Sequence, residues 1–282
     1  MAIAYESIVI NDFRDTPPSI TNEVFTKPSG LAEGDMMIAL LTFDTNGSDP
    51  ITTEAGWTQM YYNTTGLRAA GFYKVADADD VAASNFTFTY QSSITGSGGS
   101  LMRWSGVGQI NAGSQTRINS STNTPTFTTG VTPSVANSYL IFVYFSSYAH
   151  TVSSYAITTD NPTWTEITDI YEAGPDMTMA LAYASRPETS ATGNFTCTTS
   201  TTHNDHFGRL LYLYPQSNVN LDMPVTTLTL TQPTPTLEID INLEMPVTDI
   251  TITQQTPAVN TTEQTVFTPT NKPSTSWTNQ DK

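Results

Sequence analysis

Two of the chain's three histidines stand in "HNDH", where His203 and His206 bracket Asp205; the third, His150, lies well upstream. Histidines at i and i+3 share a metal when a helix presents them, and the zinc-protease pattern adds a glutamate between two histidines. This segment falls between predicted strands and has no such glutamate, so it reads as a polar loop. Serine is abundant, but no G-x-S-x-G elbow anchors a nucleophile. Glycoside hydrolysis needs two carboxylates at a set separation, and 26 acidic residues leave such a pair neither located nor excluded. "DTNGSD" offers Asp44, Asn46, Ser48 and Asp49 as oxygen ligands for calcium, yet it lacks the bidentate glutamate of a calcium loop. That segment and "DADD" (77–80) read as turns, since Asp, Asn and Gly are the usual turn residues. Asp44, Asn46 and Asp49 are kept as weak calcium candidates. No catalytic residue and no cofactor is expected.

Aromatic side chains stack on sugar rings where they are exposed. Trp57, Tyr61, Tyr62, Trp104 and Trp164 all fall in or beside strands, where core packing is the plainer reading; Trp104 is the one candidate glycan contact. The single cysteine, Cys197 in "NFTCTT", excludes an internal disulfide and reads as a buried structural thiol. Net charge is −16, from 26 acidic against 10 basic residues, so no cationic patch exists for nucleic acid. The start, "MAIAYESIVINDFRD", has neither the basic residues nor the apolar run of a signal peptide, and no apolar stretch is long enough to span a membrane.

What must hold these residues is β-structure. Charged residues make up only 13% of the chain, and Thr, Ser and Asn replace them. β-branched threonine suits a pleated surface better than a helix. Behind a first strand at "YESIVI", short apolar bursts follow one another: "DMMIALLTF" (35–43), "GWTQMYY" (56–62), "AAGFYKVA" (69–76), "NFTFTY" (85–90) and "SLMRWSGV" (100–107). Turn chemistry such as "GSGG" separates them. The order then recurs as "NSYLIFVYFSS", "PTWTEITDIY", "DMTMALAYAS", "NFTCTT" and "FGRLLYLYP". Trp57 to Trp164 is 107 residues, Tyr73 to Tyr183 is 110, Asn85 to Asn194 is 109 and Arg103 to Arg209 is 106. So steady an offset predicts an internal duplication, with halves at about 30–110 and 132–216. The expected fold is all-β: an antiparallel β-sandwich of jelly-roll type over 1–216, with ten or eleven strands. One sandwich built from both halves is preferred to two in tandem, because five strands alone would give a thin core. The joining stretch 111–136 reads as a linker, or as a strand at "TPTFTTG".

Beyond Pro215 the composition shifts. Residues 217–282 hold "NLDMPVTTLTLTQPTPT" and, 22 residues on, "NLEMPVTDITITQQTPA". Leu228 and Leu230, then Ile250 and Ile252, alternate with threonine as one face of a short strand. Two such strands bury little, roughly 1.5–3 kcal/mol per aliphatic side chain at best. Ordering each residue costs about 1–2 kcal/mol. The segment therefore reads as an extended arm that docks on a partner, through Leu228, Leu230, Ile250, Ile252 and Trp277. A disordered Pro/Thr stalk is the other reading.

The ending "SWTNQDK" after Thr/Pro-rich β repeats resembles the C-terminal segments of structural proteins of tailed bacteriophages. Gly34-Asp35, Gly56-Trp57-Thr58, Tyr73–Asp77 and Arg103–Gly106 resemble motifs of the jelly-roll-type domains in such virion proteins. The resemblance implies a non-enzymatic structural role in a virion assembled in the host cytoplasm, as a capsid decoration or tail accessory protein. Its expected partners are other virion proteins and copies of itself, held through the arm. Two alternatives stand beside it: a carbohydrate-binding adhesin that recognises host surface glycans, and a polysaccharide-degrading enzyme.

Overall fold

A computed structural model describes residues 2–44, 51–63, 68–114, 116–128, 130–172, 176–216, 228–230 and 250–252. The chain divides into two units, Met1–Asn218 and Val219–Lys282. The first is all-β with antiparallel sheets packed face to face.

Its first half is built around a long pair, β1 (Ala4–Thr26) and β6 (Asn85–Ser105). One end of this pair, Ala4–Asn11 against Gly99–Ser105, belongs to a sheet with β2 (Met36–Asp44), β5 (Arg68–Val75) and β4 (Thr58–Asn63), in the order β1-β6-β2-β5-β4. The other end, Asn22–Thr26 against Asn85–Thr89, runs on beside β3 (Ile51–Thr53) and covers the outer face of that sheet. The second half repeats the plan with shorter pieces. Its inner sheet runs β12 (Thr165–Glu172), β13 (Met177–Arg186), β10 (Ser138–Ser146), β15 (His206–Pro215), β7 (Val107–Ala112), with β8 (Thr116–Ile118) also on β15. Its outer sheet is β11 (Val152–Ile157), β14 (Phe195–Thr199), β9 (Thr126–Phe127).

Side-chain alternation sorts three cores. On β2, Met36, Ile38 and Leu40 face one way while Met37, Ala39, Leu41 and Phe43 face the other; on β10, Ile141, Val143 and Phe145 oppose Leu140, Phe142 and Tyr144. The inward set joins the two five-stranded sheets to each other. The outward sets meet Phe25, Phe86 and Phe88 in one half, and Phe127, Tyr155 and Phe195 in the other. The first unit is thus two sandwiches, back to back, in layers of three, five, five and three strands. The two inner sheets share one core, so the expected sandwich of both halves is present, and each half adds an outer layer of its own. The second half builds its second layer from β9, β11 and β14, and the first half gains its own because β1 and β6 continue past the predicted strand ends.

The glycines of "GSGG" show why. They were read as a turn, yet they lie inside β6, as glycine does where something else must come close. A Cβ on Gly99 would stand 2.5 Å from the Leu40 carbonyl oxygen, and one on Gly98 would meet the Phe13 ring at 2.4 Å.

Strand register fixes which residues are equivalent. Tyr73 faces Ile38 as Tyr183 faces Ile141, and Phe25 faces Phe86 as Phe127 faces Phe195. Trp57 and Trp164 each precede the edge strand that opens at Thr58 or Thr165. Arg103 and Arg209 are not equivalent. Arg209 faces Val143, the counterpart of Leu40, which faces Ser100; Arg103 faces Met37.

"DADD" is not a loose turn. Residues Ala78–Ala82 form α1, capped by Asp77, whose carboxylate accepts the Asp80 backbone N–H while the Asp80 carboxylate accepts that of Asp77. Buried Asp80 also pairs with Lys74 at 2.7 Å. No helix among the described residues is long and apolar enough to cross a membrane.

In the second unit, β16 (Leu228–Leu230) and β17 (Ile250–Ile252) pair in parallel, with Leu228 opposite Ile250 and Leu230 opposite Ile252. The pairing offset equals the 22-residue sequence period.

Candidate functional site

The chain's three histidines, far apart in sequence, meet at one oxygen. Tyr144 points from β10 into the outer core of the second sandwich, and its Oη lies 3.0 Å from His150 Nε2, 3.3 Å from His203 Nε2 and 2.9 Å from His206 Nδ1. The strands explain the convergence. His206 opens β15 directly opposite Ser146 at the end of β10, and His203 pairs its backbone with Thr122 just outside β8. His150 precedes β11, held by its backbone N–H to Thr178 Oγ1. All three imidazoles are buried, with His206 fully so. Their rings form a stack, His206 to His203 at 3.8 Å and His203 to His150 at 4.2 Å, with the half-exposed ring of Tyr148 beyond at 5.0 Å from His203.

The hydrogen-bond partners set the tautomers. His206 Nε2 sits 3.0 Å from the His203 carbonyl oxygen, which can only accept, so Nε2 carries the proton and Nδ1 is bare. Tyr144 therefore gives its single proton to His206 Nδ1. Its two lone pairs are left for the N–H groups of His150 and His203. Ser146 Oγ donates to the Asp205 carbonyl at 2.8 Å and lies 3.4 Å from the bare His203 Nδ1. His150 Nδ1 has no partner of normal hydrogen-bond geometry, the Tyr148 backbone only weakly favouring a proton there.

Neutral imidazole is what this arrangement holds. Burial, then the neighbouring His206, pushes His150 down to about 4. Burial, then His206 and His150, pushes His203 down to about 3. Burial also lowers His206, with Asp205 opposing. The Tyr144 hydroxyl is driven above the usual tyrosine range by burial and then by Cys197. Asp205 is engaged elsewhere, with Arg117 Nε at 2.9 Å and Ser147 Oγ at 2.5 Å.

The expectation of a polar loop at "HNDH" is overturned: His203, Asp205 and His206 are buried. The two imidazoles meet Tyr144 and Ser146, and the Asp205 carboxylate meets Arg117 and Ser147, none of them singled out by the sequence. The signal was Tyr144 itself, a hydroxyl inside the otherwise apolar run "YLIFVYF" that had to find a partner once buried. The cluster is not a metal centre. Imidazoles held about 2 Å from one ion and splayed around it keep their ring centres roughly 4.5–5 Å apart, wider than this stack. Among the described residues no three His, Cys, Asp or Glu side chains form a group that holds a metal ion.

The other candidates fall as follows. Trp104 is fully buried between the two sandwiches, with ring centres 5.3 Å from Tyr5, 6.0 Å from Tyr139 and 5.4 Å from Tyr183. It therefore cannot stack on a glycan, which corrects that expectation; a strand buried on both faces leaves its aromatics no solvent. Trp57 packs on Phe86 and Phe88, and Trp164 on Phe142 and Tyr155. Cys197 is free and buried. Asp44 ends β2, while Asn46, Ser48 and Asp49 lie outside the described residues, as does Trp277. Leu228, Leu230, Ile250 and Ile252 form the paired strands β16 and β17.

Searches with family models, against curated proteins and against solved structures find no match to this chain.

Proposed function

We propose that the chain is a non-enzymatic structural protein of a tailed-phage virion, its double β-sandwich displayed and its C-terminal arm holding it to the particle. Capsid decoration and tail accessory roles both fit. The observation that carries this reading is the pairing of β16 with β17 at the period of the repeat. A parallel pair needs a connection of a dozen or more residues, and the sequence between Leu230 and Ile250 is longer than that. Two strands of three residues are too little to stand alone in water. Such a pair calls for further strands, and a virion neighbour or a second copy of the same repeat would add them by β-augmentation. The acidic, lightly charged composition suits a body that stays soluble while crowded on a particle.

Limited proteolysis read by mass spectrometry tests the proposal, on the isolated protein and on particles that contain it. Cleavage between residues 217 and 270 in isolation, with protection in the particle, is the expected result. Equal cleavage in both states, or incorporation of a chain ending at Gln216 as efficient as that of the full chain, would overturn it.

A further inference from the structure

The two sandwiches fill the same place with different chemistry. The register makes Leu41 the counterpart of Tyr144, since it lies three residues beyond Ile38 as Tyr144 lies three beyond Ile141. By the same logic Ser97, opposite Phe43, is the counterpart of His206, opposite Ser146, and Ile94 that of His203. The first sandwich buries Leu41 and Ile94 there in a hydrocarbon core, and Ser97 beside them gives its hydroxyl to the buried Glu23 carboxylate at 2.7 Å. The fold therefore does not need a tyrosine and three imidazoles at this spot. Its own duplicate closes without them, and buried polar groups cost free energy wherever apolar ones would fit.

What the cluster ties together is specific. The His203 carbonyl accepts both His206 Nε2–H and the Thr122 N–H, at 3.0 and 2.9 Å. The Thr122 backbone lies on the strap that leads from β8 to β9, and β9 is the third strand of the outer sheet. His150 leads into β11, the opposite edge of that sheet. One hydroxyl thus joins both margins of the outer layer to β10 of the inner one.

We propose that Tyr144, His150, His203 and His206 form an acid-operated latch that keeps the outer sheet and the β8–β9 strap of the second sandwich closed and releases them when the imidazoles take up protons. The hydroxyl has one proton and two lone pairs, all committed. A proton on His206 Nδ1 would face the Tyr144 oxygen with no lone pair left to receive it. A proton on His150 Nδ1 would meet no partner of normal geometry. Two charges on rings 3.8–4.2 Å apart also repel.

Every neighbouring charge enters the balance. Asp205, held by Arg117, favours a proton on His206, and Asp176 favours one on His150. Both effects are smaller than burial. Cys197 on β14 and Asp169 on β12 face Tyr144. The folded values of all three histidines lie below the ordinary 6.5, so the open state binds protons first. The closed state is at full strength above pH 6.5 and weakens as pH falls toward 4. Asp169 acts in the opposite sense, because burial raises it to about 6 and its protonation below that favours the closed state. One carboxyl stands against three imidazoles, and the net direction is opening in acid.

Hydrogen exchange by mass spectrometry on the full chain, corrected for intrinsic rates, reads this directly. Between pH 7 and 4.5, protection should fall at least tenfold in segments 116–128, 146–157 and 195–206, with residues 20–26 and 85–94 unchanged. A variant carrying His150→Gln, His203→Gln and His206→Asn keeps the donors and acceptors without the titration, and should lose the acid response. Unchanged protection, or an equal fall in both sandwiches, overturns the latch. Should that variant not fold, the wild-type imidazole NMR titration decides. Midpoints well below 6.5, coinciding with the loss of protection, uphold the latch, and titration near 6.5 in an intact fold overturns it.

Discussion

The first sandwich and the second share a strand order, a pair of facing phenylalanines and a tryptophan against the outer core, yet they are closed differently. In the first, one continuous ribbon of β1 and β6 runs through both layers. Its polar ties are the ion pairs of Arg103 with Asp35 and Lys74 with Asp80, together with buried Glu23, which accepts from Ser97 and Asn11. In the second, the ribbon is broken into β7, β9, β14 and β15, and a buried Tyr–His network stands where Leu41, Ile94 and Ser97 stand in its twin. A continuous ribbon carries its outer layer covalently. A broken one has to hold its outer layer by side chains, so polar groups placed there gain leverage over opening.

The comparison is tested hardest at the equivalent phenylalanines. Phe25 and Phe127 are both fully buried and face Phe86 and Phe195. Replacing either with alanine should cost about 3–5 kcal/mol, as large-to-small changes in aromatic cores do, measured by urea unfolding. Costs that differ by several kcal/mol would show that the register equivalence does not carry over to energetics. Because the second outer sheet is assembled from separate pieces, Phe127→Ala should also expose segments 152–157 and 195–199 to exchange. Phe25→Ala should leave the covalent ribbon paired.

A sharper comparison makes the second sandwich resemble the first. Tyr144→Leu alone strands the imidazole nitrogens and should cost about 1–3 kcal/mol, the penalty for unsatisfied buried polar groups. Adding His203→Ile and His206→Ser, the residues of the twin, should recover most of that loss. The coupling between the substitutions should exceed about 1 kcal/mol in a double-mutant cycle, because they share one network. Strict additivity would mean that these three side chains do not act together.

The duplication could be read in the sequence because the landmarks are bulky and regularly spaced. Trp57 with Trp164, Tyr73 with Tyr183 and Asn85 with Asn194 fall at matching positions in the sheets. Arg103 and Arg209 match in letter only, since a three-residue slip moves a side chain to the opposite face of the strand. The number of layers was also written there. "MMIALL" and "YLIFVYF" are apolar at every position rather than every second one, and a strand of that kind is covered on both faces. The continuity of β6 was hidden by Gly96, Gly98 and Gly99, which serve close packing and look like a turn. The histidine cluster was hidden by distance: His150 and His203 are brought together only by β10, β11 and the Thr122 bridge, and no local pattern records that.

The smallest expected effect comes from the chain's one thiol, which marks the second sandwich alone. Cys197 lies on β14 at the place that Phe88 fills in the first sandwich, two residues beyond Phe195 as Phe88 is two beyond Phe86. It is buried, and burial followed by Asp169 raises its thiol well above the ordinary value. Cys197→Val should shift stability by less than about 1.5 kcal/mol, as volume-conserving apolar swaps do. The native thiol should stay unreactive at pH 7.5 toward reagents that modify exposed cysteines within minutes. Dithiodipyridine reacts in acid as well, and its rate of attack measures how often the outer sheet lifts. A rate that rises as pH falls from 6.5 to 4.5, in native protein but not in the Gln/Gln/Asn variant, would place the opening at β14. A rate that is flat across that range would confine any acid response to the strap between β8 and β9, leaving β14 seated on β10.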